Sequence, residues 1–126
     1  MGDIVVVVRN GSRALIGTHA KINSPMPNTV IGAFMTGIRA TQPSFVNALL
    51  STDRFGYEIH ANMGATINQI TGGMFSKMEF YVPHDSAEQF KIGQYFDCLD
   101  SFITLHQRKL DKLRQVKQAM MYKMFV

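Results

Sequence analysis

Residues 82–124 read VPHDSAEQFKIGQYFDCLDSFITLHQRKLDKLRQVKQAMMYKM, and this stretch decides the fold. Apolar side chains recur in it at spacings of four and three, the heptad pattern that keeps one stripe of a helix facing a partner helix. At about 1.5 Å per residue, a helix over residues 86–125 is roughly 60 Å long, too long to lie within a domain built from the preceding residues. We therefore expect most of it to pack against something outside the globular part of the chain. The stripe comprises Ile92, Phe96, Leu99, Ile103, His106, Leu110, Leu113, Lys117, Met120 and Met124.

Local signals mark where this helix begins. Asp85 or Ser86 can cap it, and Glu88 follows Asp85 at the spacing of a capping box, so the unpaired N–H groups of the first turn have side-chain acceptors. Gly93 is the only glycine inside the helix and costs roughly 1 kcal/mol relative to alanine. Two explanations for Gly93 are open: another backbone approaches it closely, or it is merely tolerated.

The first 84 residues predict a small domain of mixed sheet and helix, so the fold class is α+β with one long C-terminal coiled-coil helix. Its first strand is apolar enough to be buried on both faces, and Gly72 and Gly73 are typical of a turn. We place the domain boundary near Pro83, which gives a globular domain of residues 1–84 and a helix of residues 85–126. The predicted strands are 3–8, 14–22 with a break at Gly17, 29–38 and 77–82; the predicted helices are 43–50 and 52–62; residues 63–70 are loop and short strand.

Composition excludes several classes of protein. A chain of 126 residues with 46% hydrophobic content is one globular unit with an appendage. The single cysteine, Cys98, excludes an intramolecular disulfide and is typical of the cytoplasm; its place beside the stripe predicts a small buried side chain. The apolar run at residues 4–8 is too short for a membrane span or a signal peptide. We therefore expect a cytoplasmic protein that does not bind membranes.

Charge is unevenly distributed along the helix. The net charge of +4 and the pI of about 9.4 permit nucleic-acid binding without requiring it. Residues 85–100 hold four carboxylates against one lysine, and residues 108–123 hold six cations against one carboxylate. In an antiparallel pair of such helices, Lys117 of one chain lies opposite Leu99 and Asp100 of the other. The alternative is ordinary scatter of charge on a solvated face, which contributes little.

Catalytic chemistry has no recognisable motif. The four histidines are far apart in sequence and none has a second metal ligand at a zinc-site interval. The glycines form neither a phosphate-binding loop nor a dinucleotide fingerprint. We expect no catalytic residue, no metal and no cofactor. His106 lies in the stripe, where a hydrogen-bonded histidine can fix the register of a helix pair; a ligand or pH switch is the alternative.

Two stretches carry a resemblance to a known family. Residues 64–70 read GATINQI, and residues 2–12 read GDIVVVVRNGS, followed by Ile16 and Gly17. Together with the helix, they resemble the end of a DNA specificity subunit of type I restriction-modification enzymes, in which target recognition domains alternate with long helices. Such subunits usually hold two domains and two helices, whereas this chain has one helix and an incomplete domain. The resemblance therefore implies a partial target recognition domain over residues 1–84. The helix positions that match are Glu88, Gln89, Ile92, Phe96, Leu99, Asp100, Ile103, Gln107, Leu110, Leu113, Lys117, Met120, Met124 and Phe125.

The resemblance implies that loops of the recognition domain read double-stranded DNA. Recognition needs cations for phosphates, and amide, guanidinium or hydroxyl groups for base edges. Two polar turns and three separate cations supply such groups, although turns of this composition also form for backbone reasons alone. The candidate DNA contacts are Arg9, Asn10, Ser12, Arg13, Lys21, Arg39, Thr66, Asn68, Gln69 and Lys77.

The resemblance also implies the partners. We interpret the chain as a non-enzymatic, half-sized or fragmentary specificity subunit that binds half of a bipartite DNA site. Its helix would form an antiparallel homodimer and dock the methyltransferase (modification) and nuclease/translocase (restriction) subunits, to which methylation and ATP-driven cleavage belong. The main alternative is a truncated assembly module that uses the helix but no longer contacts DNA. A small enzyme with its site between protomers is the third.

Overall fold

A computed structural model describes residues 2–125. It confirms the α+β class with a long C-terminal helix. The strands are β1 (Ile4–Val7), β2 (His19–Lys21) and β3 (Met35–Ile38), with a short 3-10 turn at Arg13–Leu15. The helices are α1 (Pro43–Leu50), α2 (Asp53–Met63), α3 (Gly72–Phe75) and α4 (Ser86–Met124).

The three strands form one antiparallel sheet with β1 at its centre. Val6 of β1 lies opposite His19 of β2 and Thr36 of β3. Ile4 and Val6 are fully buried, whereas the alternate valines of β1 are only half-buried. The prediction that β1 is buried on both faces is therefore wrong. Alternate side chains of a strand point to opposite faces, and only one face of this sheet lies on the core.

Several predicted strands are shorter than expected or missing. The strand predicted at residues 14–22 is reduced to β2, because Arg13–Leu15 form a 3-10 turn and Gly17 adopts a φ of 91°, outside the extended region. The strand predicted at residues 29–38 is reduced to β3, and within the described chain residues 77–82 form no strand. Gly72 and Gly73 begin helix α3 instead of forming a simple turn, because the Thr71 hydroxyl accepts a hydrogen bond from the Met74 N–H at 3.3 Å.

The two middle helices agree closely with the prediction. Helix α1 begins at Pro43, which suits the first position because a proline has no N–H to leave unpaired. Helix α2 is capped by Thr52, whose hydroxyl accepts from the Phe55 N–H at 3.3 Å. Helix α2 continues through Gly56, although glycine is a poor helix former. The core forms where these helices cover the sheet, from Ile4, Val6, Ile16, Leu50, Phe55, Ile59, Met63 and Ile70.

The chain divides into two compact units, Met1–Gln94 and Tyr95–Val126. The first unit includes the beginning of α4, and Gly93 explains how the helix fits there. A Cβ atom on Gly93 would lie 2.6 Å from the backbone nitrogen of Phe45 and 2.9 Å from the carbonyl carbon of Ser44, both in α1. Close approach of another backbone is therefore the reason for this glycine. The predicted domain boundary near residue 84 remains a prediction.

Candidate nucleic-acid interface

Two polar turns, far apart in sequence, lie side by side in the first unit. The first follows β1 and runs from Arg9 to Arg13; the second follows α2 and runs from Gly64 to Gln69. Arg9 and Gln69 form an isolated antiparallel bridge. The next backbone N–H, that of Ile70, donates to the carbonyl of Val8 at 2.8 Å. The sequence predicted both turns as DNA contacts, and the structure brings them together.

A second set of hydrogen bonds joins the turns at their other end. The Arg13 guanidinium donates to the Gly64 carbonyl at 2.6 Å, to the Asn68 side-chain oxygen at 3.2 Å and to the Ala65 carbonyl at 3.4 Å. In return, the Asn68 side-chain nitrogen donates to the Gly11 carbonyl at 3.2 Å. We call these four bonds the clasp. It connects residues 51 to 57 positions apart in the chain.

The paired turns and Phe34 line a cleft of about 470 Å³. The Arg9 guanidinium is exposed and lies 5.4 Å from the centroid of the Phe34 ring, within the range of a cation–π contact. The Asn10 side-chain oxygen accepts from the Ser12 N–H at 2.9 Å, so its amide N–H groups are the ones left to contact a ligand. The cleft is lined by Arg9, Asn10, Gly11, Phe34, Thr66, Ile67, Asn68 and Gln69.

Sequence reasoning missed Phe34, which it placed inside a strand. Phe34 instead precedes β3 with 55% of its surface exposed. Its carbonyl accepts hydrogen bonds from the N–H groups of Val8 at 2.9 Å and Arg9 at 3.2 Å, which fixes it beside the first turn. Its aromatic character was the one available signal, but nothing in the sequence placed it next to Arg9.

The three isolated cations do not line the cleft. Lys21 donates to the Ser44 hydroxyl at 2.8 Å, and Lys77 is exposed. Arg39 binds Asp3 through two hydrogen bonds of 2.9 and 2.8 Å. The hydrogen bond from Arg39 lowers the pKa of the Asp3 carboxyl, and the same bond raises the pKa of the Arg39 guanidinium. Their predicted phosphate contacts remain predictions.

The second unit exposes the predicted helix stripe. Leu113 is 67% exposed and Met124 is 70% exposed, whereas Ile92, in the first unit, is half-buried. A shallow apolar groove of about 460 Å³ runs along the helix, and within it the His106 ring donates to the Phe102 carbonyl one turn earlier at 2.8 Å. Cys98 is exposed, so the expectation that it is buried within this chain is wrong. The groove is lined by Leu99, Phe102, Ile103, His106, Gln107 and Leu110.

Two further features concern the described residues only. Across residues 2–125, no three of the His, Cys, Asp and Glu side chains are grouped so as to hold a metal ion. In the same part of the chain, none of the helices combines the length and the hydropathy that crossing a membrane requires.

The chain combines a polar, cationic cleft on a small domain with a long helix. These features define a candidate nucleic-acid-binding protein. Comparison with known families makes the assignment specific. A family profile described as the type I restriction modification DNA specificity domain matches residues 2–115. The match covers most of the chain, and the chain therefore belongs to this family, whose role is DNA recognition. Neither a curated protein nor a solved structure matches the chain.

Proposed function

We propose that this chain reads one half of a bipartite DNA site through the cleft between its two polar turns. The observation that carries the proposal is their convergence: Arg9 and Asn10 come from one turn and Thr66 and Gln69 from the other, yet all four line one cleft. A guanidinium, two amides and a hydroxyl are the groups that read base edges and phosphates. A single bidentate side chain can discriminate one base pair, and a set of such groups held at fixed spacing can discriminate a short sequence.

Each group suits a defined contact. The Gln69 amide can pair with the N6 and N7 edge of adenine, and the Arg9 guanidinium can bind the O6 and N7 edge of guanine or a phosphate. The Phe34 ring beside Arg9 restricts the guanidinium, so less side-chain freedom is lost when it binds. The cleft therefore presents a partly pre-organised cation flanked by hydrogen-bonding groups.

We further propose that α4 docks the methyltransferase and restriction subunits in the cytoplasm, where their DNA lies, and pairs with a second copy in antiparallel orientation. The exposed apolar stripe supports an association role, because apolar surface of this extent is rarely left in contact with water. The early acidic and late basic halves of the helix favour the antiparallel arrangement. An assembly module that does not bind DNA is the second candidate, and the same stripe favours it.

DNA titrations at several salt concentrations, with the modification subunits present, test the DNA role. We expect Arg9→Ala and Gln69→Ala to weaken binding, each with its own signature. A lost base contact costs about 1–3 kcal/mol and relaxes preference at one position, whereas a lost phosphate contact weakens all sequences alike and lowers the salt slope by about one. Lys91→Ala is the matched control, since it removes one positive charge from an exposed site outside the cleft. If both cleft variants bind like the unsubstituted chain, the assembly module is the better description.

A further inference from the structure

Arg13 differs from Arg9 in what its guanidinium contacts. Arg9 is exposed and lines the cleft, whereas Arg13 is half-buried and does not. All three hydrogen bonds of the Arg13 guanidinium go to oxygen atoms of the protein, two of them main-chain carbonyls that follow α2. Three of the five N–H donors of the guanidinium are occupied in this way and are not available to a phosphate or a base. Asn68 lines the cleft, but its side-chain oxygen accepts from Arg13 and its side-chain nitrogen donates to the Gly11 carbonyl.

We propose that Arg13 and Asn68 are positioning residues that hold the second turn against the first and do not themselves contact DNA. This inference rests on the proposed DNA role of the cleft, and it revises the predicted set of contacts by removing two members. Arg9 and Gln69, whose backbones are bridged, contact the DNA, and the clasp holds the part of the second turn that carries Thr66 against the first turn.

The second turn needs such a restraint. Residues 64–67 are exposed, and Gly64, which ends α2, adopts a φ of 67°. The backbone contacts between the second turn and the chain at Val8 and Arg9 lie at the far end of the turn, at Gln69 and Ile70. Without the clasp, about four exposed residues would be held only by the end of α2 and by those contacts, and loops of this kind open locally at little cost in free energy.

Arginine is well suited to this role. Its guanidinium is a rigid planar fork that can donate to several acceptors at once, and hydrogen bonds from a charged donor are stronger than neutral ones. It also places a positive charge at the C-terminus of α2, where the helix dipole favours a cation. A lysine carries the same charge but cannot reproduce the three donor directions.

Because lysine keeps the charge of arginine but not its donor geometry, the lysine variants serve as controls for the alanine variants. Arg13→Ala, Arg13→Lys, Arg9→Ala and Arg9→Lys are compared in the full chain by two measurements. The first is amide hydrogen exchange of residues 64–70 without DNA. The second is the salt dependence of binding to a pool of short duplexes of randomised sequence, with the modification subunits present. Asn68→Ala is added because it breaks two bonds of the clasp without changing the net charge.

We expect both Arg13 variants and Asn68→Ala to raise amide exchange of the second turn about tenfold and to weaken binding by a similar factor. Arg13→Ala removes three hydrogen bonds of the clasp and Asn68→Ala removes two, whereas Arg13→Lys removes the forked donor geometry. The salt slope stays unchanged in all three. Arg9→Ala instead lowers the slope by about one and leaves exchange unchanged, and Arg9→Lys restores the slope.

Two results overturn the proposal. One is a salt slope lowered by about one in Arg13→Ala and restored in Arg13→Lys, which identifies Arg13 as a phosphate contact. The other is unchanged amide exchange in the Arg13 and Asn68 variants. Absence of DNA binding by the unsubstituted chain overturns the proposed function and with it the role of the clasp in recognition. The hydrogen-exchange measurement, made without DNA, distinguishes that outcome from failure of the clasp itself.

Discussion

Replacing Gly93 by alanine tests how α4 is fixed to the first unit. Gly93 is buried where α4 crosses the start of α1, and an added Cβ atom would lie 2.6 Å from the Phe45 backbone nitrogen and 2.9 Å from two atoms of Ser44. Real Cβ atoms essentially never approach other heavy atoms within 3.0 Å. Two of the three crowded atoms belong to the main chain of α1, so a side-chain rotation cannot relieve the clash.

The magnitude follows from two opposing effects. Moving packed backbone to admit one extra carbon costs about 1–3 kcal/mol. Alanine is a better helix former than glycine by about 1 kcal/mol, which offsets part of that cost. We therefore expect Gly93→Ala to lower the free energy of unfolding by up to about 2 kcal/mol.

Gly56→Ala is the matched control, because Gly56 also lies inside a helix but an added Cβ atom there meets no heavy atom within 4 Å. It should raise the free energy of unfolding by about 0.5–1 kcal/mol. The assay is urea unfolding of both variants and the unsubstituted chain, followed by near-ultraviolet circular dichroism with the denaturant slope compared throughout. If Gly93→Ala is as stable as Gly56→Ala, the close approach of α4 to α1 is refuted.

Three further outcomes are expected. Thr52→Ala should lower the free energy of unfolding by about 1 kcal/mol in the same assay, because it removes the side-chain cap of α2. Arg39→Ala should raise the pKa of Asp3 toward its ordinary value in an NMR titration of the carboxyl; in the unsubstituted chain the stabilising effect of this pair is complete at neutral pH and is lost as the pH falls through the lowered pKa. The double variant Leu110→Asp and Leu113→Asp should sediment as a monomer with unchanged near-ultraviolet dichroism, whereas Gln115→Asp, off the stripe, should associate like the unsubstituted chain.

Local signals predicted the helices well. The proline at the start of α1, the threonine before α2 and the capping residues before α4 act through their nearest neighbours, so the sequence alone placed those helices within about one residue. Strands depend on distant partners. Residues 77–82 alternate like a strand but find no partner strand among the described residues, and Phe80 packs against the core from an irregular segment.

The candidate site was predicted as two separate turns, and its geometry was not predicted. Nothing in the local sequence indicates that Arg13 reaches Asn68, since the pair lies 55 positions apart. Arg9 and Arg13 look equivalent in the sequence, because both are cations at the ends of one polar turn. Only the tertiary structure distinguishes them: Arg9 is exposed over Phe34, whereas Arg13 is half-buried and donates to two carbonyl groups.

The clasp also determines how this surface can be altered by exchange of sequence segments. Each turn supplies a donor to an acceptor carried by the other, so neither turn is complete by itself. A recombinant that receives only the segment before β2 from a divergent relative combines a foreign first turn with the original second turn. The hydrogen bonds of the clasp are then no longer matched. A recombinant that receives residues 9–69 together keeps the pair intact. The smallest segment whose exchange keeps the clasp intact is therefore the whole span between the two turns, including β2, β3, α1 and α2.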